Sequence, residues 1–151
     1  MKNTIRTSAL ILKSIFFCLT ILFSAHAQAS DPLNISHSFS PEAPPVAKVL
    51  AAYMTLSNPG NTEVVITGAS SADFDKVEIH SMEMSDGMMH MVEQKELRIP
   101  AKGELTLEPG ELHMMLINKH RNLKDGDRIK INIQFNNGQS QSIVVPVSKQ
   151  H

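Results

Sequence analysis

Between Lys76 and Gln94 the chain reads KVEIHSMEMSDGMMHMVEQ, and the fold turns on how that stretch is read. Val77, Ile79 and Ser81 alternate with Glu78, His80, Met82 and Met84, the two-residue period of a strand with unlike faces. Asp86-Gly87 is a favoured two-residue hairpin loop. With that turn, Ser85 pairs with Met88, Met84 with Met89 and Met82 with Met91. His80, Met82, Met84, Met89 and Met91 then project from one face, while Met88 and His90 project from the other. His80 and Met91 become a diagonal pair, about 7–8 Å apart and within reach of long side chains.

The same period extends outward on both sides. Leu33, Ile35, His37 and Phe39 alternate as a first strand, and Ser40 to Pro45, with three prolines, reads as a stiff extended connector. Val46 to Ser57 is strand-like and stops at Asn58-Pro59-Gly60, and Glu63 to Thr67 is a short buried strand. Beyond the hairpin come Leu97 to Ile99, Glu104 to Leu107 and, after Pro109-Gly110, Leu112 to Asn118. Arg128 to Phe135 and Gln141 to Val147 flank Asn136-Asn137-Gly138, a short-hairpin signal. No amphipathic helix is evident. Many short strands with frequent turn residues predict an all-β, antiparallel sandwich or barrel.

The first 29 residues have the pattern of an export signal. Lys2, Arg6 and Lys13 precede an apolar run from Ser14 to Ala25, and Ala25-His26-Ala27 or Ala27-Gln28-Ala29 offers a small-residue cleavage site. The expected division is a signal peptide over 1–29 and one domain over 30–151, with no membrane insertion of the mature chain. The signal carries three basic and no acidic residues, leaving 11 Lys and Arg against 15 Asp and Glu, a net charge of −4. That charge argues against nucleic acid and anionic membrane as partners. Cys18, the sole cysteine, leaves with the signal, so the mature chain has no disulfide, no thiol chemistry and no thiolate for a blue-copper site.

What remains distinctive is sulfur and imidazole. Seven of the nine methionines and three of the seven histidines lie between His80 and Met115. Thioether and imidazole together suit Cu(I), whereas hard cations prefer oxygen. In His113-Met114-Met115 the strand period sets Met114 with Leu112 and Leu116 toward a core, and His113 with Met115 on a functional face. The predicted metal set is His80, Met91, His113 and Met115, with Met82 as an accessory ligand or a hydrophobic lid. For Met84, Met88 and Met89, packing in a core or on a surface is the preferred reading. His90 is expected to be a solvated surface residue, and His37, His120 and His151 have no ligand spacing around them.

The spacing from His80 through ten residues to Met91, then twenty-one residues to His113-x-Met115, resembles the signature of the periplasmic copper chaperones called PCu(A)C proteins. Ala51-Ala52-Tyr53-Met54-Thr55-Leu56-Ser57-Asn58, Glu78-Ile79-His80-Ser81-Met82 and Leu107-Glu108-Pro109-Gly110 also look like sequence of that family. The resemblance implies a cupredoxin-like β domain in the periplasm, binding one Cu(I) through those four side chains. It also implies delivery of copper to the cytochrome c oxidase copper-A subunit or another copper-assembly protein, and no enzymatic activity. Some relatives have a His/Met-rich C-terminal extension that holds further copper; this sequence ends at His151 without one, so a second site of that kind is not expected. Other readings are a copper-resistance store and, in a different class, an interaction module using a Met-rich surface.

Overall fold

The computed structural model describes residues 33–149. The expected signal peptide, its cleavage site and the chain ends lie outside them. The described residues form ten strands and no helix: β1 (Asn34–Pro41), β2 (Val49–Ser57), β3 (Val64–Ser70), β4 (Phe74–Ser85), β5 (Met88–Glu93), β6 (Leu97–Ile99), β7 (Glu104–Leu107), β8 (His113–Lys119), β9 (Arg128–Phe135) and β10 (Ser140–Ser148).

Seven of these strands close on themselves. Hydrogen bonding runs β4–β8–β2–β1–β10–β9–β3, and β3 returns to β4 through the pairing of Ala69 with Val77. Closure removes the free edges that an open sheet of this size would expose. The remaining three strands are appended: β5 on β4, β6 on β3 and β7 on β2. All pairings are antiparallel except β1 with β10, where Ser40 meets Val147 and Pro41 meets Ser148.

The interior follows from alternation. On β9, Ile129, Ile131, Ile133 and Phe135 are buried while Arg128, Lys130, Asn132 and Gln134 face out. Leu50, Ala52, Met54 and Leu56 of β2 meet this core from another wall, with Met114 and Leu116 of β8 and Val77 and Ile79 of β4. β4 is long enough to serve two roles. From Phe74 to His80 it lies in the barrel wall against β8, and beyond His80 its only strand partner is β5. The pair therefore leaves the barrel as a two-stranded ribbon with every β5 residue exposed.

The expected hairpin is realised residue for residue: Ser85 pairs with Met88, Met84 with Met89 and Met82 with Met91. Asp86 and Gly87 both take positive φ, 51° and 75°, as a type I′ turn requires. Other expectations are corrected. The first strand does not alternate cleanly, because its register shifts between Ser36 and Phe39 and His37 sits at φ 52°. A bulge of this kind adds a residue and reverses the facing of the residues after it. Ser40 and Pro41 belong to β1 rather than to an irregular connector. Proline is tolerated there because β1 pairs with β10 alone beyond Phe39, so one side of it is an edge that needs no N–H, and the adjoining amide of Glu42 donates to Ser148 O at 2.8 Å. β2 begins at Val49 rather than Val46, and β3 runs on to Ser70.

One buried polar side chain ties the end of β2 to the loop before β3 and to the end of β6. Asn58 Nδ2 donates to the carbonyls of Thr62 (2.8 Å), Ile99 (3.1 Å) and Pro100 (3.0 Å), and Oδ1 accepts from the Gly60 amide at 2.9 Å. Asn58→Ala leaves these groups without their partner, and a buried carbonyl or amide left unpaired costs about 1–3 kcal/mol. Urea unfolding should show a stability loss in that range. A change below about 0.5 kcal/mol, the ordinary scatter of surface substitutions, would refute the clamp.

Candidate metal centre

The ribbon leaves the barrel where β8 begins, and the two histidines meet at that point. His80 of β4 and His113 of β8 are direct cross-strand partners. Their ring centroids lie 6.1 Å apart with planes tilted by 31°. Imidazole–metal bonds run about 2.0–2.1 Å in zinc sites, so two such bonds fit within that separation.

Each ring is held by one nitrogen, and the chemistry of the partner settles the tautomer. His80 Nε2 lies 2.9 Å from Glu78 Oε2. Lys76 and His80, both bonded to the Glu78 carboxyl, hold its pKa below the ordinary value, so it is an anion at neutral pH and accepts only. Nε2 must therefore carry the proton, which leaves the lone pair of the neutral ring on Nδ1. That atom is buried and has no hydrogen-bond partner. His113 Nδ1 lies 2.9 Å from the carbonyl of Glu111, again an acceptor only, so its free lone pair is on Nε2. Two rings, each oriented by an anchored N–H and each keeping one lone pair free, have the arrangement typical of histidine metal ligands.

The methionines flank this histidine rung on the same face. Met91 lies diagonally from His80 across the β4–β5 pairing, with Met82 directly opposite it. Met115 pairs with Glu78, which places it diagonally from His80 on the other side. Met91 is half-exposed, Met82 and Met115 are partly buried, and His113 is only 8% exposed. His113 is thus less accessible than a surface residue, while Met114 is fully buried in the core, as the strand period requires. Among the described residues no group of three or more His, Cys, Asp and Glu side chains is placed to hold a metal, so a fuller ligand set on this face draws on thioethers.

Other candidates fall outside the rung. His90 is exposed on the opposite face of the ribbon. His120 bonds Asp75 at 2.6 Å and the Ala72 carbonyl at 3.0 Å, an exposed clamp between the ends of β8 and β4 that raises the His120 pKa. Met84, Met88 and Met89 do not fill a core, being 69%, 61% and 50% exposed. Glu78 is the residue that pattern reading passes over. Its signal is present, since it precedes His80 by two and shares its strand face.

A closed all-β barrel of this kind is also the fold of solved PCuAC domains. The copper-bound PCuAC domain from PmoF2 superposes with a TM-score of 0.66 at 19% identity, over 81% of this chain and 97% of that one. The solution structure of the Cu(I) form of DR1885 from Deinococcus radiodurans matches with a TM-score of 0.61 at 30% identity, over 83% of this chain and 84% of that one. The chain belongs to the LpqE-like family, whose model, "Putative lipoprotein LpqE-like", matches residues 33–147. A curated relative, "Putative lipoprotein Lxx21020" of Leifsonia xyli subsp. xyli, is 32% identical over 98 residues, and the match takes in 64% of this chain and 59% of that relative's length. Among the described residues no helix is long and apolar enough to cross a membrane.

Proposed function

We propose that this protein is an exported carrier of a single Cu(I) ion, held by His80, Met91, His113 and Met115. It would pass that ion in the periplasm to the copper-A centre of cytochrome c oxidase or to an assembly protein of that centre. The observation that carries the reading is the facing pair of histidines with one lone pair left free on each ring. The likeness to DR1885, solved with Cu(I), supports it.

Transfer rather than catalysis suits these ligands. Thioethers are neutral and soft, so they bind Cu(I) without losing a proton, and incoming thiolates can replace them one at a time. Half-exposed Met91 offers the point at which such exchange starts.

Titration against a Cu(I) chelator under reducing conditions should give one tight equivalent and a colourless complex, since Cu(I) is d10. Neither His113→Ala nor Met91→Ala should retain more than about a tenth of the affinity, a loss of about 1.4 kcal/mol or more. Met82→Leu should lose much less. A loss as large as that of Met91→Leu would put Met82 in the ligand set, and binding that survives His113→Ala would refute the centre. Mixing the loaded protein with an apo copper-A domain then tests delivery, which retention of the metal would contradict.

A further inference from the structure

The ribbon holds more thioether than the proposed centre uses. Met84 and Met89 are direct cross-strand partners next to the Asp86-Gly87 turn, on the same face as Met82, Met91 and His80. Side chains opposite each other in a strand pair have Cβ atoms about 4.5–5.5 Å apart, and each methionine has three rotatable bonds with which to bring its sulfur inward. Both are half or more exposed, so they are not needed for packing. The Met82/Met91 rung lies two residues nearer the barrel, about 7 Å along the strands, and the His80/His113 rung comes after that.

We propose that Met84 and Met89 form a second, weaker Cu(I) site at the ribbon tip, two rungs out from the His80/His113 pair on the same face. The inference rests on the copper reading above and assigns the tip to the same soft cation. Capture there forms two copper–sulfur bonds as the ion sheds two of its incoming ligands. The ion stays Cu(I), and no electron or proton moves. Two thioethers without an imidazole bind less firmly than the mixed set, so the tip fills second at equilibrium. An ion held there also lies next to Met91, the exposed member of the inner set.

The ribbon supplies its own control. Met88 is 61% exposed and adjacent to Met89 in sequence, but alternation sets it on the opposite face. The protein labelled with [methyl-13C]methionine is titrated with Cu(I), supplied as its acetonitrile complex without oxygen, and followed by NMR. The first equivalent should move the Met91 and Met115 methyl signals. The second should move Met84 and Met89 with a dissociation constant at least roughly tenfold weaker, about 1.4 kcal/mol, and leave Met88 in place. Met84→Leu/Met89→Leu should abolish that second response. Equal movement of Met88 would mean indiscriminate thioether binding and overturn the proposal. Movement of Met91 and Met115 with Met84 and Met89 still would overturn it while leaving the inner centre standing. Movement of none would remove the copper reading itself.

Discussion

Met114→Ala and Met115→Ala should fail in opposite ways although the residues are neighbours. Met114 is fully buried between Ile79 of β4 and Ala52 of β2, its cross-strand partners. Truncating a buried methionine to alanine costs about 2–5 kcal/mol through lost transfer energy and the cavity left behind. Met115 points to the other face, is partly buried and pairs with Glu78 and Ala51. Its truncation should cost much less stability yet lower Cu(I) affinity at least about tenfold. Urea unfolding of the apo proteins gives the first quantity, and chelator competition on the folded fraction gives the second. If Met115→Ala binds copper as the parent does, Met115 is not a ligand. If Met114→Ala loses affinity while remaining folded, the division of faces on β8 is wrong.

That division is legible in the sequence because it is local. Alternation along His113 to Leu116 and along Val77 to Met84 assigns faces without knowledge of any partner strand. The β4–β5 register is equally legible, since a two-residue turn leaves the strands one way to pair and Asp86-Gly87 is suited to it. What cannot be read is non-local. Nothing near His80 states that β8 will lie beside β4, or that His113 will fall directly opposite it. The meeting of the two histidines is implied by spacing shared with a family, not by the residues themselves. The parallel contact of β1 with β10 is invisible for the same reason.

The misreadings have physical causes too. Alternation along Leu33 to Phe39 leaves out a bulge, and a bulge depends on how the partner strand presents its hydrogen bonds. Treating the proline-rich stretch from Ser40 as irregular gives too little weight to an edge, where a strand paired on one side alone can hold proline without losing a ladder hydrogen bond. Packing is the natural reading for the exposed methionines because methionine usually fills gaps. The core half of that reading does not hold on a two-stranded ribbon, which has one sheet layer and no core of its own, and the surface half stands.

Glu78→Gln should weaken Cu(I) binding by about 10–100-fold without touching a ligand, the usual consequence of removing a carboxylate that orients a histidine. The ionised carboxylate accepts from His80 Nε2 and so leaves the buried Nδ1 lone pair without a partner. A glutamine amide has the same shape but can donate to Nε2, which drives the ring proton onto Nδ1 and blocks it. The pH dependence separates this from a general structural effect. Because the Glu78 pKa is lowered in the folded protein, its stabilising contribution is complete above the ordinary value of 4.5 and is lost as pH falls through the lower folded value. Glu78→Gln should remove that acid-side loss from the apo protein's stability profile while cutting metal affinity at neutral pH, where the parent carboxylate is fully ionised. Affinity within about twofold of the parent, a change of about 0.4 kcal/mol, would mean that the Glu78 contact merely decorates the His80 ring and that copper chooses its nitrogen there unaided.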